Sequence, residues 1–277
     1  MLYFAVLQII ENIIALNSIK TIILMENKLV LKEERHQRIL DEVSLRNRIL
    51  LTDMADQLDV SIDTIRRDVK ELDKNQMIKK VHGGAVSLGF VSNNAAVDVF
   101  DVDEKQLIAQ KALPFISDGS VIFIDGGTTC MELVKLIPPK KKITCFTLSL
   151  PIASEMIKKP NVDLIFIGGK ISKESHMSVS VGAVNELSQI RFDYSFISTG
   201  YIDPSHGLSE FDWEVVQIKR AIVQSSRKAI LLCISKKFNS QQKYKCVNVT
   251  DIDTLVTELE PDNLLLDPFK NMNVNLL

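Results

Sequence analysis

Six polar side chains in one short stretch carry the most specific chemistry of this 277-residue chain: Ser61, Asp63, Thr64, Arg66, Arg67 and Lys70. On a helix, Thr64 and Arg67 lie one turn apart, flanked by Asp63, Arg66 and Lys70. The planar fork of arginine grips guanine edges or phosphates, while serine, threonine and a helix N-terminus suit phosphate oxygens. Such a face fits a DNA major groove. A second group stands at Asp125-Gly126-Gly127-Thr128-Thr129. Its glycines let the backbone turn sharply and approach a ligand, and its threonines can cap a following helix whose N-terminus favours an anion. This is the chemistry of a phosphate cradle, although it is neither a Walker loop nor a G-x-G-x-x-G turn. Taken alone, each group also has a plainer reading, as an amphipathic surface helix and as a tight strand-to-helix connection.

The elements that must position the first group follow from apolar spacing. A helix is expected over 33–46. Thr52 can cap a second, whose Met54, Ala55 and Leu58 share a buried face and which Asp59-Val60 closes. Ser61 can cap a third helix over 61–74, with Ile62, Ile65, Val69 and Leu72 on one stripe. Met77 to Ala85 reads as a short strand and a glycine turn, a wing from which Lys79, Lys80 and His82 can reach a flanking backbone. The order predicts an α+β winged helix-turn-helix over 29–88. Positive charge is clustered and not general there, because Lys/Arg and Asp/Glu are equally numerous between 32 and 88.

A linker is expected at 89–100, where Ser92, Asn93 and Asn94 show no period. Asp101 or Asp103 then opens a helix with Leu107, Ile108, Ala112 and Phe115. Apolar, branched runs at 121–125, 142–148, 162–169, 193–199, 228–234 and 253–259 alternate with helical segments. Uniformly apolar strands with helices between them predict a C-terminal α/β domain over 101–277, its mainly parallel sheet covered on both faces. Ligands of such sheets sit beyond the carboxyl ends of the strands. The 125–129 turn lies at one such end. Other ends offer Thr147 to Leu150, Gly168-Gly169-Lys170 and Gly200 to Asp203. Lys219 and Arg220 lie on a later helix, and Lys237 follows the fifth strand. Gathered at one edge, these groups would suit a sugar phosphate.

A length of 277 residues exceeds one typical domain, and 46% hydrophobic with 25% charged is ordinary for a globular protein. A net charge of -2 gives no general pull toward membranes or polyanions. The four cysteines are scattered without ligand spacing, so neither a zinc site nor a disulfide framework is expected, and no cofactor is implied. Reduced cysteines fit a cytoplasmic setting.

VSIDTIRRDVKEL followed by IKKVHGGA closely resembles the N-terminal signature of DeoR-family transcriptional regulators, and the resemblance extends over roughly 32–258. It implies an N-terminal module that binds double-stranded operator DNA. It also implies a C-terminal sensor, similar in fold to ribose-phosphate isomerases and CoA transferases, that binds a small phosphorylated sugar. By that match Ser149, Gly168, Gly169, Gly200, Asp203, Gly207, Lys219 and Lys237 surround the ligand with the 125–129 loop. The match departs from the family where Leu148 replaces an asparagine and Ile234 an aspartate. The expected function is a repressor of carbohydrate-metabolism genes, acting as a homo-oligomer because palindromic operators require two modules. The competing class is a sugar-phosphate isomerase, for which Asp203 and Glu210 are the available bases; His176 and His206 read as surface loop residues.

Residues 1–28 form an apolar extension. Gln8, Glu11, Asn12, Asn17 and Lys20 interrupt it against a membrane span, and no basic leader or cleavage site marks a signal peptide. Met25 stands where a DeoR-like protein is expected to start, so Met1 reads as a misassigned initiation codon. The alternative is an extra helix packed on a partner subunit.

Overall fold

The computed structural model describes residues 31–46, 48–88, 101–173 and 175–277; the apolar extension and the linker lie outside them. The N-terminal part runs α1 (Lys32–Arg46), β1 (Arg48–Leu50), α2 (Leu51–Leu58), α3 (Ile62–Lys74), β2 (Lys79–Val81) and β3 (Gly84–Val86). Its core forms where the apolar stripes of the helices meet, with Ile39 and Val43 from α1, Met54, Ala55 and Leu58 from α2, and Ile65, Val69 and Leu72 from α3. Burying each of these side chains other than Ala55 contributes about 1.5 to 3 kcal/mol. Thr52 is not a cap. The helix starts one residue earlier, no side chain caps it, and the backbone N-H of Leu51 donates to Gly83 O at 2.9 Å. Asp59 closes α2 in the left-handed conformation. Ile62 departs from its expected stripe and is exposed, whereas Asp68 is buried on that side of α3. Asp68 accepts from Arg35 Nε at 2.8 Å and lies 3.2 Å from His36 Nε2, which ties α3 to α1.

The wing is a hairpin joined to β1 in an antiparallel sheet of order β1-β3-β2. Gly84 is required there, because a Cβ at this position would sit 2.0 Å from Ile49 O.

The C-terminal part begins with α4 (Val102–Ala112), followed by a 3-10 turn at Leu113–Phe115. Then come β4 (Val121–Ile124), α5 (Thr128–Leu136), β5 (Ile143–Thr147), α6 (Leu150–Met156), β6 (Val162–Phe166), α7 (Val181–Ser188) and β7 (Tyr194–Ser198). A hairpin of β8 (Tyr201–Asp203) and β9 (Gly207–Glu210) precedes α8 (Trp213–Gln224), β10 (Ala229–Leu232), β11 (Tyr244–Val247) and β12 (Thr254–Val256). Short α9 (Asp267–Lys270) and β13 (Asn275–Leu276) follow.

All six apolar runs are strands of one parallel sheet, ordered β13-β12-β10-β7-β4-β5-β6. The two-residue period of the strands sorts their side chains onto two faces. Ile122, Ile124, Phe196, Ile230 and Leu232 pack with α4, α5 and α6. Phe123, Ile197, Leu231 and Leu255 pack with α7 and α8. The antiparallel sheet β11-β9-β8, beside this frame, carries no alternating apolar signal and was not anticipated. Among the described residues no helix is long and apolar enough to cross a membrane.

Candidate functional site

The helix α3 presents its polar side outward. Ser61 caps it, its Oγ accepting from Thr64 N at 3.1 Å and lying 2.8 Å from the Thr64 hydroxyl. Asp63 and Arg66 form an exposed ion pair. Arg67 and Lys70 are exposed and make no hydrogen bond or ion pair among the described residues. On the wing, Lys80 donates its backbone N-H to Asp73 at 2.8 Å, Lys79 Nζ lies 3.9 Å from the same carboxylate, and His82 is exposed in the turn. The nine residues expected on this surface thus lie on α3 and the adjoining hairpin.

The second site is a cavity at the carboxyl end of β4, enclosing about 120 Å³. It gathers Asp125, Gly126, Gly127, Thr128, Thr129, Gly200, Lys219 and Lys237. Gly127 adopts φ +120°, and a Cβ there would lie 2.6 Å from Ser198 Oγ, so this turn needs glycine on both counts. No side chain caps the first turn of α5. The Thr128 and Thr129 hydroxyls have no hydrogen-bond partner among the described residues, although Thr129 is 3% exposed. Free backbone N-H groups and hydroxyls on a cavity wall are an anion-binding arrangement.

Asp125 lies under this turn. Its Oδ1 accepts from Gly126 N at 2.8 Å and its Oδ2 from Ser198 N at 3.2 Å. Burial pushes its carboxyl pKa up, against the opposing pull of Lys219 and these N-H groups. Lys219 donates to Ser198 O at 2.6 Å and Glu210 Oε1 at 2.8 Å, with Asp125 at 3.9 Å. Burial favours its neutral form, but Glu210 and Asp125 together hold its pKa above the usual lysine value. Lys237 donates to Thr199 O at 2.9 Å, and burial lowers its pKa, reinforced by the positive Lys219 and Arg46 nearby.

Four residues expected at the ligand lie elsewhere, and so does Gly207. Ser149 is fully buried as the N-cap of α6, behind Gly126. Gly168 accepts from Ser178 Oγ through its carbonyl, and Gly169 abuts Ser180. Asp203 accepts from the Ser205 hydroxyl and from the Ser205 and His206 N-H groups, closing the β8–β9 turn. A polar residue at a strand end satisfied its own backbone locally. Gly207 backs onto Val247. Arg220 donates to Cys246 O and Lys245 O, away from the cavity. Neither His176 nor His206 is fully exposed, and the Nε2 of His206 is buried without a partner.

Glu210, which ends β9 and was read as a candidate base, also lines the cavity, and several other lining residues had not been anticipated. Ser198 and Thr199 close β7, Phe211 follows β9, and Arg46 and Arg48 come from the N-terminal part. Ser198 and Thr199 could have been found by the strand-end rule, whereas nothing local marks the two arginines. Arg46 donates to Glu42 at 2.6 Å, Gly200 O at 2.8 Å and Ser240 Oγ at 3.2 Å, and lies 4.4 Å over the Tyr201 ring. Gln242 adds a 2.6 Å bond to Asp53. The four cysteines are buried and unpaired. Among the described residues no cluster of His, Cys, Asp or Glu could hold a metal ion.

Comparison with known proteins agrees with both halves. Residues 35–91 match the DeoR-like helix-turn-helix domain, and residues 101–259 match the DeoR C-terminal sensor domain. The glycerol-3-phosphate regulon repressor of Haemophilus influenzae is 30% identical over 233 residues, covering 83% of this chain and 91% of that protein. The HTH-type transcriptional regulator GolR of Listeria innocua is 28% identical, covering 86% and 95%. Among solved structures, ribose 5-phosphate isomerase A from Neisseria gonorrhoeae aligns with a TM-score of 0.35 at 16% identity, over 49% of this chain and 53% of that one. The chain therefore belongs to the DeoR family of helix-turn-helix transcriptional regulators.

Proposed function

We propose that the chain is a cytoplasmic repressor of carbohydrate-metabolism genes. Its operator affinity is set by a small phosphorylated sugar or related metabolite held in the cavity at the end of β4. The observation that carries this reading is the uncapped first turn of α5, with two unpartnered threonine hydroxyls lining the same cavity as Lys237. That set supplies hydrogen-bond donors and positive charge to a dianion. The names of the relatives, a glycerol-3-phosphate regulon repressor among them, support a phosphate ester as effector.

In this reading Ser61, Asp63, Thr64, Arg66, Arg67 and Lys70 face the major groove, and Lys79, Lys80 and His82 contact the flanking backbone. Asp125 to Thr129, Gly200, Lys219 and Lys237 form the effector site, while Ser149, Gly168 and Gly169 support its walls. Asp203 holds a turn and has no part in the site. The domains divide at residues 89–100. Two copies act together, since one module reads only half of a palindrome. No catalytic step is assigned: of the two candidate bases, Asp203 is taken up by its own turn and Glu210 is engaged by Lys219.

Regulation requires that the ligand bind the DNA-competent and incompetent arrangements unequally. The test is a thermal-shift screen of sugar phosphates, glycerol 3-phosphate included, followed by gel shifts on the gene's own upstream DNA. A phosphate ester at about 100 times its Kd should stabilise the fold by about 2.7 kcal/mol. Thr129→Val should lose ligand-dependent release and still bind DNA. Equal affinity for upstream and random duplex at every salt concentration would overturn the reading.

A further inference from the structure

Arg48 has an arrangement that neither the recognition surface nor the sensor fold requires. It opens β1, within the DNA-binding part, yet its side chain lines the cavity of the sensor. Its guanidinium lies 4.6 Å over the ring of Phe211, and its Nε is buried without a hydrogen-bond partner. Arg46 offers the contrast two residues earlier. Glu42, Gly200 and Ser240 occupy its donors, and the Tyr201 ring its face, so it acts as a fixed strut between the parts.

A buried guanidinium N-H left unpaired carries a full desolvation penalty. The chemistry that removes the penalty is an acceptor of negative charge inside the cavity. Phosphate monoesters suit it, because the rigid fork matches two phosphate oxygens at once. Phe211 holds the guanidinium plane by stacking while leaving its N-H edge free. The opposite requirement, for N-H groups and hydroxyls around an anion, is met on the same cavity by the first turn of α5.

We propose that Arg48 is an effector-binding residue, so that the phosphorylated ligand is enclosed by both domains and is gripped directly by the DNA-binding one. This rests on the reading of the cavity as a phosphate-ester site, and it adds where the regulatory coupling originates. A ligand held by one domain alone must act at a distance. A ligand held by both changes the placement of the winged helix as a condition of its own binding, and by reciprocity operator DNA changes ligand affinity by the same factor.

Calorimetric titration of the full chain with inorganic phosphate in one arm and glycerol 3-phosphate in the other tests this. Tighter binding of the ester than of the free ion separates a sugar-phosphate effector from phosphate itself. Arg48→Gln should weaken binding about 10- to 100-fold, the loss of a charge-assisted hydrogen bond. Arg48→Lys should recover part of the loss, since it restores the charge without the fork. A second measurement needs no variant: a bound ester should protect Arg48 of the wild-type chain from phenylglyoxal, read by peptide mass spectrometry, while exposed Arg67 reacts as before. Undiminished binding by Arg48→Gln, alongside weakened binding by Thr129→Val, overturns the role of Arg48 and leaves the cavity reading standing. Equal modification of Arg48 with and without saturating ester does the same. A wild-type chain that binds neither probe overturns both.

Discussion

Arg67 is exposed and finds no ion pair or hydrogen bond within the described residues, while its neighbour Arg66 is paired to Asp63. A free guanidinium one turn beyond Thr64 is available to a base edge without first breaking an internal bond. Arg67→Ala should therefore weaken operator binding by about 1 to 3 kcal/mol and relax preference at one base position. Arg66→Ala should cost less, with little change in sequence preference. Gel-shift midpoints on the natural site and on singly altered sites measure both, and an unchanged midpoint for Arg67→Ala removes it from base readout. At this scale the sequence was only partly legible. Ser61 could be read as a cap because hydroxyl capping is local, and Gly127 as a turn because so few residues accept its conformation. Asp68 could not be read, since a charge on a buried stripe makes sense only beside Arg35, which lies far away in sequence. Asp203 misled for the reverse reason: its carboxylate was consumed by Ser205 and His206 just after it.

The wing shows how an element depends on one missing side chain. Gly84 pairs with Leu50 on β1, and a methyl group there would collide with the Ile49 carbonyl at 2.0 Å. Gly84→Ala should force β1 and β3 apart and destabilise the N-terminal part by about 2 to 4 kcal/mol. Gly83, one residue earlier, has open space around a would-be Cβ and only its φ of +74° to defend. Gly83→Ala should cost about 1 kcal/mol. Urea midpoints followed by circular dichroism distinguish the two, and equal losses would show that the close approach to Ile49 is not limiting. The helices and parallel strands were legible because 3.6- and two-residue periods report burial directly. The antiparallel β8, β9 and β11 were not, because three short strands with polar ends give too little alternation to set against a loop.

A property of the whole molecule is set by Lys105, which is 1% exposed on α4. Burial, helped by the positive charge of Lys237, lowers its pKa to about 8. The unfolded chain holds this proton up to a pH near 10.4. Below about pH 8 both states are charged, and the folded one bears the full cost of a buried cation. Between the two pKa values the unfolded state binds more protons, so stability rises with pH; above both, the cost is gone. Relative to Lys105→Met, the wild type should gain up to about 3 kcal/mol between pH 7 and pH 10. Paired urea titrations at several pH values check this, and a difference independent of pH would place the lysine in a solvated setting. Neither this burial nor the reach of Arg48 into the cavity could be read from the chain, because each depends on how separate elements stack.

The three-stranded sheet that supports the wing also fixes what can move independently. Arg48 pairs with Val86, and Val86 pairs with Lys79, so the three residues form a single row across the strands. Two strand spacings, about 10 Å, separate the first from the last. The row contains no hinge and no loop, so a tilt imposed at its inner end arrives undiminished at its outer one, as in a rocker arm. Lys79 on the wing and Arg48 on the cavity are, mechanically, two ends of one rigid bar.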